Sequence, residues 1–163
     1  MLKKSLLLLA LGFSFTAGNA AFAADTTPAT TAPAAKFKWY TDLASAQAAA
    51  AAQHKPVVVL LSNPSWCHFC VQLEKEHVNT AAFKAWGADK AIFVKLDKYP
   101  RGKAGTPDEK KAYAFGQKYG VSGVPAFISL DADGKKIGSG SYAKGPTAEY
   151  LKTLGESLKL DAK

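Results

Sequence analysis

The run Val57 to Ser62, VVVLLS, is continuously apolar and mostly β-branched up to its closing serine. A strand with one face in water alternates apolar and polar residues, whereas an unbroken run suits a strand covered on both faces. The run therefore predicts a central strand of an α/β sheet, with helices packed on either side.

The flanking segments supply the other elements. Thr41 to Pro56 opens on a possible cap, Thr41 or Asp42, continues through strong helix formers and stops at Pro56, which reads as a helix. Cys70 to Val78 reads as helical, and Thr80 to Trp86 as its continuation or a second short helix. Ala91 to Asp97 reads as a strand. The polar loop Lys98 to Pro107 leads into Asp108 to Gly120, a helix ending on a glycine C-cap, although Tyr113, Phe115 and Tyr119 do not share one stripe. Ala126 to Leu130 and Lys135 to Tyr142 flank the Asp133-Gly134 turn signal of a hairpin, and Pro146 opens a last helix through Leu158. The order is a βαβ unit followed by an antiparallel ββα unit, which predicts a mixed sheet with helices on both faces.

Upstream of these elements the chain changes character. Lys3 and Lys4 precede the apolar run Leu6 to Phe15, and Ala21-Phe22-Ala23 offers small residues for cleavage, the pattern of a secretory signal peptide over residues 1–23. The apolar run is shorter than the roughly 20 residues a spanning helix needs, so stable membrane insertion is not expected. Residues 24–35, rich in Ala, Thr and Pro, carry too little apolar surface to offset their ordering entropy and read as a disordered leader. Residues 36–163 then form one domain. Export to the periplasm or beyond places the thiols where disulfides persist. The formal charge of +8 falls to +6 without Lys3 and Lys4, and the remaining lysines are scattered among acids, which argues against a nucleic-acid partner.

The chain's two cysteines stand three positions apart, in Trp66-Cys67-His68-Phe69-Cys70, just past the apolar strand. A helix starting at Cys67 puts Cys70 one turn further in on the same side, so the sulfurs meet. The helix dipole and unpaired N–H groups near Phe69 and Cys70 would stabilise a Cys67 thiolate. A dipole contribution of up to about 2 kcal/mol corresponds to a little over one pKa unit. His68 either adds a positive charge that favours the reduced form or simply faces solvent. As a structural staple a four-residue loop contributes only about 2 kcal/mol. A zinc site lacks its second half, because His77 stands about 10 Å away along a helix. Haem attachment would need a histidine where Val71 stands. A reversible dithiol without metal or cofactor is the reading that remains.

The ordered set Trp66 to Cys70 after an apolar strand, Val124-Pro125 before a strand, the Asp133-Gly134 hairpin and a closing helix resembles the thioredoxin superfamily, over about Phe37 to Leu158. Within it the chain looks most like small exported thiol:disulfide interchange proteins. The resemblance implies a thioredoxin fold, Cys67 as nucleophile and Cys70 as resolving cysteine, acting on protein or peptide thiols and recycled by a redox partner, with the protein a monomer. It implies that Pro125 is a cis-proline beside the cysteines, that Val124 offers its backbone to an extended substrate, that Trp66 covers the disulfide and shapes the docking surface, that His68 and Phe69 modulate the active site, and that Lys95 matches a lysine pairing with a buried aspartate. That aspartate's position, six before Cys67, is Leu61 here, a departure that removes the usual proton acceptor for Cys70. Glu74, one turn after Cys70, reads as a surface residue, with a water-mediated role as its alternative. The competing function is a thioredoxin-fold binding protein or chaperone whose dithiol is incidental.

Overall fold

The computed structural model describes residues 36–161; the expected signal peptide and the leader lie outside the described residues. The elements are β1 (Trp39–Tyr40), α1 (Leu43–Gln53), β2 (Val57–Leu61), α2 (His68–Leu73), α3 (Ala81–Lys90), β3 (Ile92–Leu96), α4 (Pro107–Tyr119), β4 (Ala126–Leu130), β5 (Lys136–Ser141) and α5 (Thr147–Ser157). They build a thioredoxin fold around a five-stranded mixed sheet in the order β1-β3-β2-β4-β5.

The strand expected at the centre is there. All five residues of β2 are buried, and it pairs with β3 in parallel and with β4 antiparallel. Alternate residues feed two cores: Val57, Val59 and Leu61 pack with α1 and α4, while Val58 and Leu60 pack with α2, α3 and α5. Each such side chain contributes about 1.5–3 kcal/mol on leaving water. Helices on both faces follow from that two-sided burial.

Two local outcomes differ from the sequence reading. Trp39–Tyr40 forms a short edge strand parallel to β3, too brief to leave a period-2 signature. The segment after Cys70 does not stay α-helical: α2 passes into a π-helical turn over Glu74–Val78, and α3 starts afresh on its own cap, where the Thr80 hydroxyl accepts from Phe83 N–H. The hairpin forms where its Asp133-Gly134 signal put it; its turn rests on Asp131, whose carboxylate accepts from the N–H groups of Asp133 and Lys135, and Gly134 takes its left-handed position at φ 75°.

The remaining helix ends agree with their signals. Asp42 caps α1, accepting from Ser45 N–H at 2.9 Å. Gly120 closes α4 at φ 70°. At the other end of α4, Thr106 and Glu109 form a capping box, and the Gly105 and Thr106 N–H groups hold the Glu109 carboxyl below its usual range.

Helix α5 presses on the hairpin at Gly138. A Cβ there would meet Ser157 O at 2.5 Å and Leu158 Cα at 2.7 Å, while the buried Ser129 hydroxyl on β4 donates to Leu158 O at 2.7 Å. Gly138→Ala must push backbone against backbone, and the expected outcome is a loss of about 1–3 kcal/mol of stability. Urea unfolding of the two proteins checks this; equal midpoints would contradict the close packing.

Candidate redox site

Strand β2 ends at Leu61, and the turn that follows Ser62 is organised by Asn63. Its carbonyl accepts from Trp66 N–H at 3.4 Å and Cys67 N–H at 3.0 Å. Its side-chain oxygen accepts from Ser65 N–H and Ser65 Oγ–H, and its amide donates to Tyr99 O at 3.0 Å. The Trp66 indole N–H donates to the same Tyr99 carbonyl at 3.2 Å. Asn63 is buried at 5% exposure, so these bonds are made away from solvent, where losing them is costly. The sequence reading missed Asn63; its signal was the Asn63-Pro64-Ser65 turn tripeptide.

The turn delivers Cys67 to the N-cap of α2. Cys70 N–H donates to Cys67 Sγ at 3.2 Å, so the sulfur occupies the place of a capping oxygen, at the positive end of the helix. Cys67 and Cys70 are joined as a disulfide with Cα atoms 5.2 Å apart. Cys70 is fully buried and Cys67 nearly so. Val124-Pro125 is a cis peptide, and Val124 O lies 3.5 Å from Cys67 Sγ. The structure thus brings Trp66, Cys67, Cys70, Val124 and Pro125 together.

The flanking residues divide by exposure. Trp66 is 37% and Phe69 58% exposed, so an apolar rim borders the disulfide. His68 faces solvent with its ring edge-on to Phe69. Phe69 also leans on Tyr142, whose hydroxyl donates to Glu76 Oε2 at 2.7 Å and is pushed up in pKa by that carboxylate. His77 turns away from the cysteines into α5, stacked on Tyr150 at 4.0 Å and bonded through its ring nitrogens to Thr147 Oγ1 and Ala143 O.

Beneath the cysteines the expectation for Glu74 is corrected. Glu74 is no free surface residue: its side chain is only 20% exposed, and Oε1 lies 2.5 Å from Lys95 Nζ, closed off from water. The reason is register. Leu60 lies beside Lys95 across the β2–β3 pair, on the face covered by α2, and Leu61 points into the opposite core. Lys95 therefore meets the helix that carries Cys70 and finds its carboxylate there. Ser62 Oγ, buried at the end of β2, has no hydrogen-bond partner. Among the described residues, no group of three or more His, Cys, Asp or Glu could hold a metal ion, and no helix is long and apolar enough to cross a membrane.

Comparison with known proteins gives a consistent picture. A family model described as a thioredoxin-like domain matches residues 43–155. The disulfide bond reductase DsbH of Chlamydia pneumoniae is 27% identical over 109 residues, covering 66% of this chain and 64% of that protein, so the match spans just under two thirds of that relative. Among solved structures, a DsbH oxidoreductase superposes with a TM-score of 0.66 at 24% identity, over 78% of this chain and 88% of that one. A thioredoxin from Thermus thermophilus gives 0.56 at 21% identity, over 74% and 86%. The oxidised C-terminal domain of Neisseria meningitidis DsbD also gives 0.56, at 19% identity, over 74% and 99%. At these identities the structures share the fold.

Asn63 ties the cysteine turn to the β3–α4 loop. Asn63→Ala leaves Tyr99 O with one donor fewer and frees Ser65, and is expected to cost about 1–3 kcal/mol. Thermal unfolding measures the effect; a variant with unchanged stability would remove the organising role given to Asn63.

Proposed function

The chain belongs to the thioredoxin-like family, and from that premise we propose that it is an exported thiol:disulfide oxidoreductase acting on protein or peptide thiols. The observation that carries the proposal is the Cys67 sulfur at the N-cap of α2, where Cys70 N–H reaches it at 3.2 Å. A thiolate there gains the helix dipole and a hydrogen bond that an ordinary thiol lacks. The competing reading, a binding module with an incidental disulfide, gives no reason for a sulfur in the capping position.

In the reducing direction the Cys67 thiolate attacks one sulfur of a substrate disulfide. A Cys67–substrate bond forms, and the other substrate sulfur leaves as a thiolate. Cys70 then loses its proton and attacks Cys67 Sγ, the mixed disulfide breaks, and the second substrate thiolate departs. The substrate gains two electrons and the protein is left as the Cys67–Cys70 disulfide, to be reduced again by a partner. Likeness to a protein named a disulfide bond reductase favours this direction. Val124, with its carbonyl beside Cys67, would pair with the backbone of the substrate, Pro125 leaves that edge without an N–H of its own, and Trp66 and Phe69 would receive its side chains.

Glu74 is the proposed acceptor for the Cys70 proton. It lies one helical turn from Cys70, its N–H donates to Cys70 O, and Lys95 keeps a positive charge beside its carboxylate. The buried, unpartnered Ser62 hydroxyl would hold a bridging water. The export reading, with residues 1–23 as a cleaved signal and 24–35 as a leader, agrees with a protein whose working form contains a disulfide.

Three measurements test this. Cys67→Ser is expected to abolish insulin reduction while Cys70→Ser accumulates mixed disulfides, and a potential near about −270 mV in glutathione buffers would mark the reducing direction. Equal activity of wild type and Cys67→Ser would reject catalysis. Glu74→Gln is expected to slow mixed-disulfide resolution by up to about 10²-fold near neutral pH, the low end of general-base contributions. The loss should shrink as pH rises and hydroxide replaces the base, a pH profile that a merely structural role for Glu74 would not produce.

A further inference from the structure

The β3–α4 loop is an exposed segment beside the disulfide turn that the exchange chemistry leaves unexplained. From Lys98 to Pro107 it carries Lys98, Arg101 and Lys103 and no acidic residue, and all three cations are exposed. Both ends are pinned. Tyr99 N–H donates to Ser62 O at 3.0 Å, and Tyr99 O receives Asn63 and the Trp66 indole. At the far end, Gly105 and Thr106 N–H groups donate to Glu109 Oε2, both at 2.9 Å. A stretch held at both ends keeps its cations within a few residues of those anchors. Arg101 stands two residues from the carbonyl that holds the indole, a reach of at most about 7 Å of chain.

These cations are not spent within the molecule. Among the described residues the ion pairs are Lys90–Asp161 and Lys95–Glu74, so Lys98, Arg101 and Lys103 have no carboxylate partner within pairing distance. Lys98 stands close enough to Glu109 to help depress its pKa, though less than the backbone N–H groups do. The Glu74 carboxylate is occupied by Lys95, and Glu76 accepts from Tyr142; Asp97 precedes the loop and Asp108 and Glu109 follow it, so Arg101 and Lys103 at its middle are the cations farthest along the chain from a carboxylate.

We propose that Lys98, Arg101 and Lys103 form a docking surface that selects acidic polypeptides as substrates, placing acid-flanked cysteines against Trp66 and Cys67. This rests on the exchange reading above and adds its substrate class. Clustered charge of one sign raises encounter rates 10- to 10³-fold, and the effect fades as the screening length falls from about 30 Å at 0.01 M salt to about 8 Å at 0.15 M. Selection therefore acts on kcat/KM and leaves kcat nearly unchanged.

The experiment uses the full chain without residues 1–23 and three disulfide peptides of one length, with cysteines flanked by Asp and Glu, by Lys, or by Ser and Gly. At low salt the acid-flanked peptide is expected to exceed the lysine-flanked one in kcat/KM by about tenfold or more, the low end of the steering range, and the ratio should collapse at 0.3 M NaCl. Arg101→Ser with Lys103→Ser should remove most of that preference while the neutral peptide keeps its rate. Equal kcat/KM for acidic and basic peptides at low salt, or a preference that survives the double variant, would overturn the proposal. Serine-for-cysteine versions of the peptides, titrated by tryptophan fluorescence, judge the surface without turnover. Acid-selective binding lost in the double variant upholds it, and binding indifferent to charge overturns it. Failure to exchange any of the three peptides would instead reject the oxidoreductase reading.

Discussion

Burial of β2 on both faces is the constraint from which the rest of the molecule follows. A strand with no solvent side needs a neighbour at each edge and a helical layer above and below. Those layers, α1 with α4 and α2 with α3 and α5, meet the two halves of its side chains. Because β2 is central, the loop at its C-terminal end emerges over the middle of the sheet between the ends of β3 and β4. The cysteines therefore stand within reach of Tyr99 from one neighbour and of Val124-Pro125 from the other.

The reactive turn is rigid through hydrogen bonds to main chain. Asn63 and Trp66 share one acceptor, Tyr99 O, and Asn63 O receives the N–H groups that lead into α2. This hub links the Cys67 cap, the exposed indole and the base of the cationic loop. A change in any one of them would be felt by the others, because their common oxygen cannot move without breaking bonds that are shielded from water.

The polar pair beneath the disulfide shows how a missing residue is compensated across elements. With Leu61 where an acid is usual for the family, Lys95 would be a half-buried charge without a partner, an expensive arrangement. Glu74 supplies the carboxylate from the helix, at the point where the α-helical ladder gives way to a π-helical turn. The turn also sends His77 toward α5, where Thr147 and Tyr150 engage it.

What could be read from the chain and what could not separate along physical lines. The unbroken Val57–Leu61 run, the caps at Asp42 and Gly120, the Asp133-Gly134 turn and the cysteine spacing are local features, since propensity, capping and side-chain periodicity act over a few residues. They were enough to indicate the order of elements, the sheet type and the meeting of the two sulfurs. The two-residue edge strand, the Asn63 hub and the destination of Glu74 were not legible. Each depends on which residue from a distant segment lies opposite, and that is decided by strand register and helix docking. Glu74 looks like any exposed helical glutamate until β3 sets Lys95 beside it. The sequence by itself determined a redox-capable turn on a central strand; only the tertiary structure decided which charges and carbonyls surround it, because burial and ion pairing belong to contacts between segments far apart in the chain.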